Sequence, residues 1–184
     1  MQKPQSSCRQ KPNFHILAPK SWEHYLEKPG NLLDQTTLDP ALVIITVLST
    51  SPGKIKSLTA LHLAECFAND GYKTLLLEAD IRTPRFHTLF NFECTKGLTD
   101  TIKNNTGHIT AYKDNLDVLS AGTAIKEATT FLLGRQFKQF IHALKGLYDK
   151  IIIDTPALSD HKDALIVRDY ACGSIIVHDA QAAS

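Results

Sequence analysis

Apolar residues in this chain gather in short runs that switch between two periods, and the switching starts abruptly near residue 42. Runs of strand length at 42–48 (LVIITVL), 73–79 (KTLLLEA), 116–121 (LDVLSA), 150–154 (KIIID) and 174–179 (SIIVHD) are the strand candidates. Several are apolar on both faces, as strands buried in a parallel sheet are. Between the first two, Leu61, Ala64, Phe67 and Ala68 recur at helical spacing, and Gly71 stands where a helix over 56–69 would end. A second stripe, Phe137, Phe140, Ile141 and Leu144, predicts a longer helix over 130–147 with those residues in the core. Residues 161–171 read as one more helix before the last strand. Strands alternating with helices predict an α/β fold, a mostly parallel sheet with helices on both faces, with ligands expected at the carboxyl ends of the strands.

Residues 1–40 have a different texture, rich in Pro, Gln, Lys and Ser and without sustained periodicity; only 21–28 (SWEHYLEK) fits a short capped helix. This stretch is expected to be a partly ordered N-terminal arm, with the globular domain occupying 41–184. A chain of 184 residues suffices for one domain with a substantial core. A formal net charge of +1, with 21% charged residues, gives no bulk field to attract nucleic acid or anionic lipid. The four cysteines, Cys8, Cys66, Cys94 and Cys172, lie far apart and form no C-x-x-C pair, so they read as free thiols of a cytoplasmic protein. The first twenty residues contain no apolar core of a signal peptide. The longest apolar run, 41–48, is far below the roughly 20 residues that cross a bilayer as a helix. No direct membrane insertion is expected, and any peripheral membrane association would come through a partner.

Three features fall at predicted strand ends. The first is the segment 50–58, TSPGKIKSL, which follows a strand and opens a helix, the setting in which backbone N–H groups hold phosphates. A P-loop reads G-x-x-x-x-G-K-[ST]; Lys56 and Ser57 fit its end, but Ile55 stands where the second glycine belongs. Lys56 would reach the β and γ phosphates, Ser57 would ligate Mg²⁺, and Pro52 and Gly53 would shape the turn. An ordinary βα loop containing a lysine is the competing reading. The second feature is LLLEADIR at 75–82, where Glu78 and Asp80 alternate along a strand end and so would point the same way, toward the metal and the attacking nucleophile, unless they merely solubilise that end. The third is KIIID, an apolar strand delivering Asp154 to its tip, as a Walker B aspartate is delivered.

The order and spacing of these features resemble the bacterial tyrosine kinases. These are cytoplasmic P-loop autokinases of capsule and exopolysaccharide assembly, related to the deviant-Walker ATPases that position septa and plasmids. The family's S-x-x-P-G-x-G-K-[ST] is matched by STSPGKIKS at 49–57, and its D-x-D-x-R motif by LLLEADIRTPRFHTLF at 75–90. GL-x-D is Gly97 to Asp100, L-x-V-L-x-A-G ends at Gly122, and Y-D-x-[IV]-I-[IV]-D-T-P-P begins at Tyr148 and has Ala157 in place of its last proline.

The resemblance implies a P-loop NTPase-like three-layer sandwich that binds ATP and Mg²⁺ and transfers the γ-phosphoryl group to protein tyrosine. On that basis Ser51, Pro52, Gly53, Lys54, Ile55, Lys56, Ser57 and Arg82 are expected to contact the nucleotide, Arg82 alternatively serving a subunit contact. Ser57, Asp80 and Asp154 are expected to serve the metal, and Lys56, Glu78, Asp80 and Asp154 the transfer itself, with Glu78 in place of the family's first aspartate. A transmembrane activator of the polysaccharide co-polymerase type, and neighbouring copies of the chain, are the partners implied. If Ile55 took the family's loop conformation, strain of roughly 1–3 kcal/mol would follow. Lys54 is an extra cation that would attract phosphate or simply be solvated. The five tyrosines, Tyr25, Tyr72, Tyr112, Tyr148 and Tyr170, are scattered, and no tyrosine cluster follows the last predicted strand, so autophosphorylation in the family manner lacks its obvious substrate in this sequence. Two alternatives stand beside the kinase: a catalytically impaired relative acting as a binding module for a membrane partner, and a partitioning-type ATPase.

Overall fold

Residues 13–17, 43–90 and 96–177 are described in the computed structural model; the segment 21–28, Cys8, Cys94 and the end of the last predicted strand lie outside them. The predicted strands all appear, as β2 (Ile44–Ser49), β3 (Thr74–Glu78), β5 (Leu116–Leu119), β6 (Lys150–Asp154) and β7 (Gly173–Val177). Two more were not foreseen: β1 (Asn13–Leu17), from within the arm, and β4 (Thr110–Lys113). Together they form one sheet in the order β1-β7-β2-β6-β3-β5-β4, parallel throughout except for the antiparallel β4–β5 pair. The turn between β4 and β5 uses Asn115 at φ 59°, a left-handed position that asparagine tolerates.

Side chains alternate along each central strand, and both faces are buried. Ile44, Leu75, Leu77, Ile151 and Ile153 enter one core, while Ile45, Val47, Leu76, Ile152 and Ile175 enter the other. This is why the strands read as unbroken apolar runs. The second core is covered by α1 (Ile55–Asn69) through Ala60, Leu63, Ala64 and Phe67. Helix α1 ends as predicted: Gly71 takes φ 86°, its N–H donates to Ala68 O, and the Tyr72 N–H donates to Phe67 O, both at 3.0 Å. The rings of Phe67 and Tyr72 meet edge to face at 5.9 Å, completing a Schellman-type stop.

The short helices α2 (Phe86–Phe90) and α3 (Leu98–Asn104) follow β3, and neither was read from the sequence. The single helix expected over 130–147 is two, α4 (Ala128–Leu133) and α5 (Arg135–Leu144). The break is Gly134, extended at φ −65° and ψ 146°, which ends one helix and starts the next; apart from proline, glycine is the residue that gains least from staying helical. The stripe still does its predicted work, with Phe137, Ile141 and Leu144 buried in the first core. Helix α6 (Asp163–Arg168) leads into β7. Cys66 is a free thiol, but Cys172 is disulfide-bonded, which corrects the expectation of four free thiols.

No helix among the described residues is long and apolar enough to cross a membrane.

Candidate functional site

Strands β2, β6 and β3 are neighbours in the sheet, so their carboxyl ends bring three distant stretches of sequence together. In register, Asp154 lies between Val47 of β2 and Glu78 of β3. The loop 50–54 leaves β2 at this point and enters α1, whose first turn carries Ile55, Lys56 and Ser57.

Lys56, Ser57 and Asp154 form one buried cluster. The Lys56 ammonium pairs with Asp154 Oδ1, and the Ser57 hydroxyl donates to Asp154 Oδ2 at 2.6 Å. All three residues are at most 5% exposed. Burial pushes the Asp154 carboxyl above its ordinary pKa, opposed by the Lys56 charge and by hydrogen bonds from Lys56 and Ser57, while the charge of nearby Asp80 pushes it further up.

Around this cluster the loop has the makings of an anion cradle. The first turn of α1 holds no acidic residue, and the N-cap residue Lys54 makes no side-chain cap. The first intrahelical amide bond is Leu58 N–H to Lys54 O, so the amides of 55–57 precede the helix's own ladder. Nothing lies within 4 Å of where a Cβ on Gly53 would stand, which leaves the backbone there open to approach. Ile55 does not take a left-handed conformation: it opens α1 with ordinary helical geometry, and its side chain packs against the second core. The strain conditional on a glycine-like conformation is therefore absent.

The acids at the end of β3 part company. Glu78, 1% exposed, is held by backbone amides: its Oε1 accepts from the backbone N–H groups of Arg85 and Phe86 (the latter at 2.9 Å), and its Oε2 accepts from Ala121 N–H at 2.9 Å. Burial raises its pKa to about 7 despite those three donors. Asp80 accepts from the N–H and hydroxyl of Thr83, at 3.1 and 3.0 Å, and is near enough to Asp154 for its charge to be felt there.

Arg82 is engaged within the protein. Its Nε donates to Asp163 Oδ2 at 2.7 Å, Nη1 to Lys126 O at 2.6 Å and Nη2 to Thr129 Oγ1 at 3.1 Å, while Thr129 donates to Asp163 Oδ1 at 2.6 Å. Asp163 and Thr129 were not singled out from the sequence. An acid in the first turn of a short helix carries no local sign of a partner 81 residues away.

The glycine motifs turn out to be a scaffold for the same end of the sheet. Gly97 lies so close to the 120–122 backbone that a Cβ there would meet Gly122 N at 2.3 Å and Ser120 O at 2.4 Å. Gly122 takes φ 77°. Asp100 accepts from the N–H and hydroxyl of Thr123 at 2.9 and 2.8 Å; burial works against its charge, but these bonds hold its pKa below the ordinary value.

A phosphate-bearing ligand fits this arrangement, with an uncapped helix start, an open glycine and a lysine at one place. Among the described residues no cluster of three His, Cys, Asp or Glu side chains is ready to hold a metal. The small oxygen set of Ser57 and Asp154, with Asp80 nearby, is of the kind Mg²⁺ uses, since it keeps waters and substrate phosphates as its other ligands.

Comparison with known proteins agrees with the fold. The family profile for ParA, the NUBPL iron-transfer P-loop NTPase, matches residues 41–184. Tyrosine-protein kinase YwqD of Bacillus subtilis is 32% identical over 183 residues, covering 96% of this chain and 77% of that protein. Tyrosine-protein kinase CpsD of Streptococcus pneumoniae serotype 4 is 33% identical over 141 residues, covering 74% of this chain and 62% of CpsD. The solved structure of the chimerical protein CapA2B2 superposes with a TM-score of 0.76 at 25% identity, covering 92% of this chain and 81% of the chimera.

Proposed function

This chain belongs to the ParA-type P-loop NTPases and, among them, to the bacterial tyrosine-protein kinases; on that premise we propose that it binds ATP with Mg²⁺ at the loop 50–57 and transfers the γ-phosphoryl group to protein tyrosine. The observation that carries the reading is the buried Lys56–Asp154–Ser57 cluster at the junction of strand, loop and helix. A lysine held in a dry site by one carboxylate can exchange that partner for phosphate oxygens, and the carboxylate is then free to serve the metal side.

In this reading the amides of 53–57 and the Lys56 ammonium bind phosphate oxygens, with the Lys54 charge and the Ser51 and Pro52 backbone shaping the approach. Ser57, Asp154 and Asp80 hold the divalent ion, which when bound neutralises charge on the phosphates. Asp80 is the acid placed to orient the tyrosine hydroxyl. Arg82, whose three guanidinium nitrogens are all engaged by Asp163, Lys126 and Thr129, supports the 79–85 segment rather than the nucleotide. A transmembrane activator of the polysaccharide co-polymerase type, a neighbouring copy of the chain as tyrosine donor, and a role in capsule or exopolysaccharide assembly complete the proposal.

The test is a titration with ATP and Mg²⁺ followed by incubation with labelled ATP and the cytoplasmic segment of such an activator. Saturable binding and label on tyrosine are expected. No binding at millimolar nucleotide would reject the kinase and the ATPase together, and release of inorganic phosphate without labelled tyrosine would point to the ATPase.

A further inference from the structure

The segment between β3 and α2 is fixed at two points that flank Asp80. On one side Glu78 gathers the amides of Arg85 and Phe86 with one oxygen and that of Ala121 with the other, so a single carboxylate ties the end of β3 to the start of α2 and to the end of β5. On the other side Arg82 reaches Lys126 O, Thr129 and the buried Asp163. Between them the Ile125 N–H donates to Ile81 O at 3.1 Å, and the Ala79 N–H donates to Asp154 O at 2.8 Å. Ala79 and Ile81 are each 1% exposed, so the backbone on both sides of Asp80 is packed in place. Among the described residues the Asp80 carboxylate, by contrast, bonds only to Thr83, three residues on.

We infer that Glu78 and Arg82 are positioning residues, a two-point clamp of the 79–85 segment onto the 120–129 segment that sets Asp80 beside Asp154. Glu78 does not itself act on the reacting groups, because three backbone donors already occupy its carboxylate. Its extra methylene relative to the family's aspartate is what lets one side chain reach amides on two different elements. The role of Asp80 rests on the kinase reading above; the clamp itself does not.

The two readings of Glu78 make opposite predictions for Glu78→Asp. If the glutamate were a misplaced catalytic acid, restoring aspartate would raise turnover. If it is a clamp, the shorter side chain releases the amides and displaces Asp80, and a shift of about 1 Å in such a group costs on the order of 100-fold. The expected result is a fall in kcat of about 10- to 100-fold, with KM for ATP changed by less than about threefold, as for an interaction that matters only in the transfer step. Amide hydrogen exchange on the same full-length variants reads the clamp without any turnover. Glu78→Asp is expected to speed exchange at Arg85, Phe86 and Ala121. Glu78→Gln keeps the oxygen that faces α2 but presents an NH₂ to Ala121, so it is expected to release Ala121 alone. A rise in kcat for Glu78→Asp, or unchanged exchange at all three amides in both variants, overturns the inference. If the wild-type protein transfers no phosphoryl group, the kinase reading fails, and the exchange pattern still decides whether the clamp exists.

Discussion

Replacing Ile55 by glycine restores the residue that a P-loop has at this position, and the structure makes a definite prediction about the outcome. If Ile55 were forced into a glycine-only conformation, substitution would relieve roughly 1–3 kcal/mol, equivalent to nucleotide binding roughly 5- to 160-fold tighter. Ile55 instead has a negative φ at the start of α1 and a side chain partly buried against the second core. Glycine therefore has no strain to release, and two terms to lose. Full burial of an isoleucine contributes about 1.5–3 kcal/mol, and a half-buried one about 1 kcal/mol. Exchanging isoleucine for glycine at the edge of a helix adds about 0.5 kcal/mol. The expected loss of 1–2 kcal/mol lowers the melting temperature by about 2–8 °C in a domain of this size. The assay is a pair of measurements on wild type and Ile55→Gly: a thermal melt without nucleotide, and an equilibrium titration with ADP and Mg²⁺. Destabilisation with affinity changed by less than about threefold is expected. A gain above about 30-fold with an unchanged melting temperature would refute the reasoning, since it would mean that the bound loop adopts a conformation that isoleucine resists.

The buried cluster gives a second prediction: Asp154→Ala leaves the Lys56 ammonium without its partner and is expected to destabilise the fold by about 3–5 kcal/mol, while the double change Lys56→Met with Asp154→Leu is less harmful than the sum of the singles, as a denaturant double-mutant cycle would measure. Gly97→Ala drives a methyl into the 120–122 backbone, and a loss of about 1–3 kcal/mol is expected in chemical denaturation. The pKa of Glu78, raised to about 7 by burial, sets a pH dependence. Between the unperturbed value of 4.5 and about 7 the folded state holds a proton that the unfolded state has released, so stability falls as pH rises through that window. The full effect is about 3 kcal/mol for a shift of this size, and Glu78→Gln should flatten that part of the stability profile; an equal slope in both proteins would contradict the assignment.

Much of the fold was legible because burial on both faces writes itself into the chain: β2, β3, β5, β6 and β7 are the five apolar runs, and α1 ends at the glycine that marked it. What escaped had local reasons. The strand β4, with Thr110, Ala111 and Lys113 exposed, carries no apolar run, and β1 lies in a segment whose composition resembles a linker. The split of α4 from α5 at Gly134 follows from one residue's low helical propensity inside an otherwise continuous stripe. Helices α2 and α3 are too short for a periodic signal to rise above their surroundings.

The sequence by itself determined that a lysine and a serine follow a strand and open a helix, and that an aspartate ends another strand, because these are local patterns of one element each. Only the tertiary structure decided which acids share that site. Glu78 and Asp80 are equivalent in an alternating pattern, yet backbone amides at the start of α2 and just beyond β5 capture the first, while the second bonds to Thr83 and stays near enough for its charge to act on Asp154. Arg82 is likewise committed by Asp163 and Thr129, far away in sequence. Hydrogen-bond partners are assigned by the packing of loops from separate strands, and no local spacing encodes that. The same packing turned Ile55 toward the core, so that the residue that breaks the P-loop pattern sits in α1 without strain.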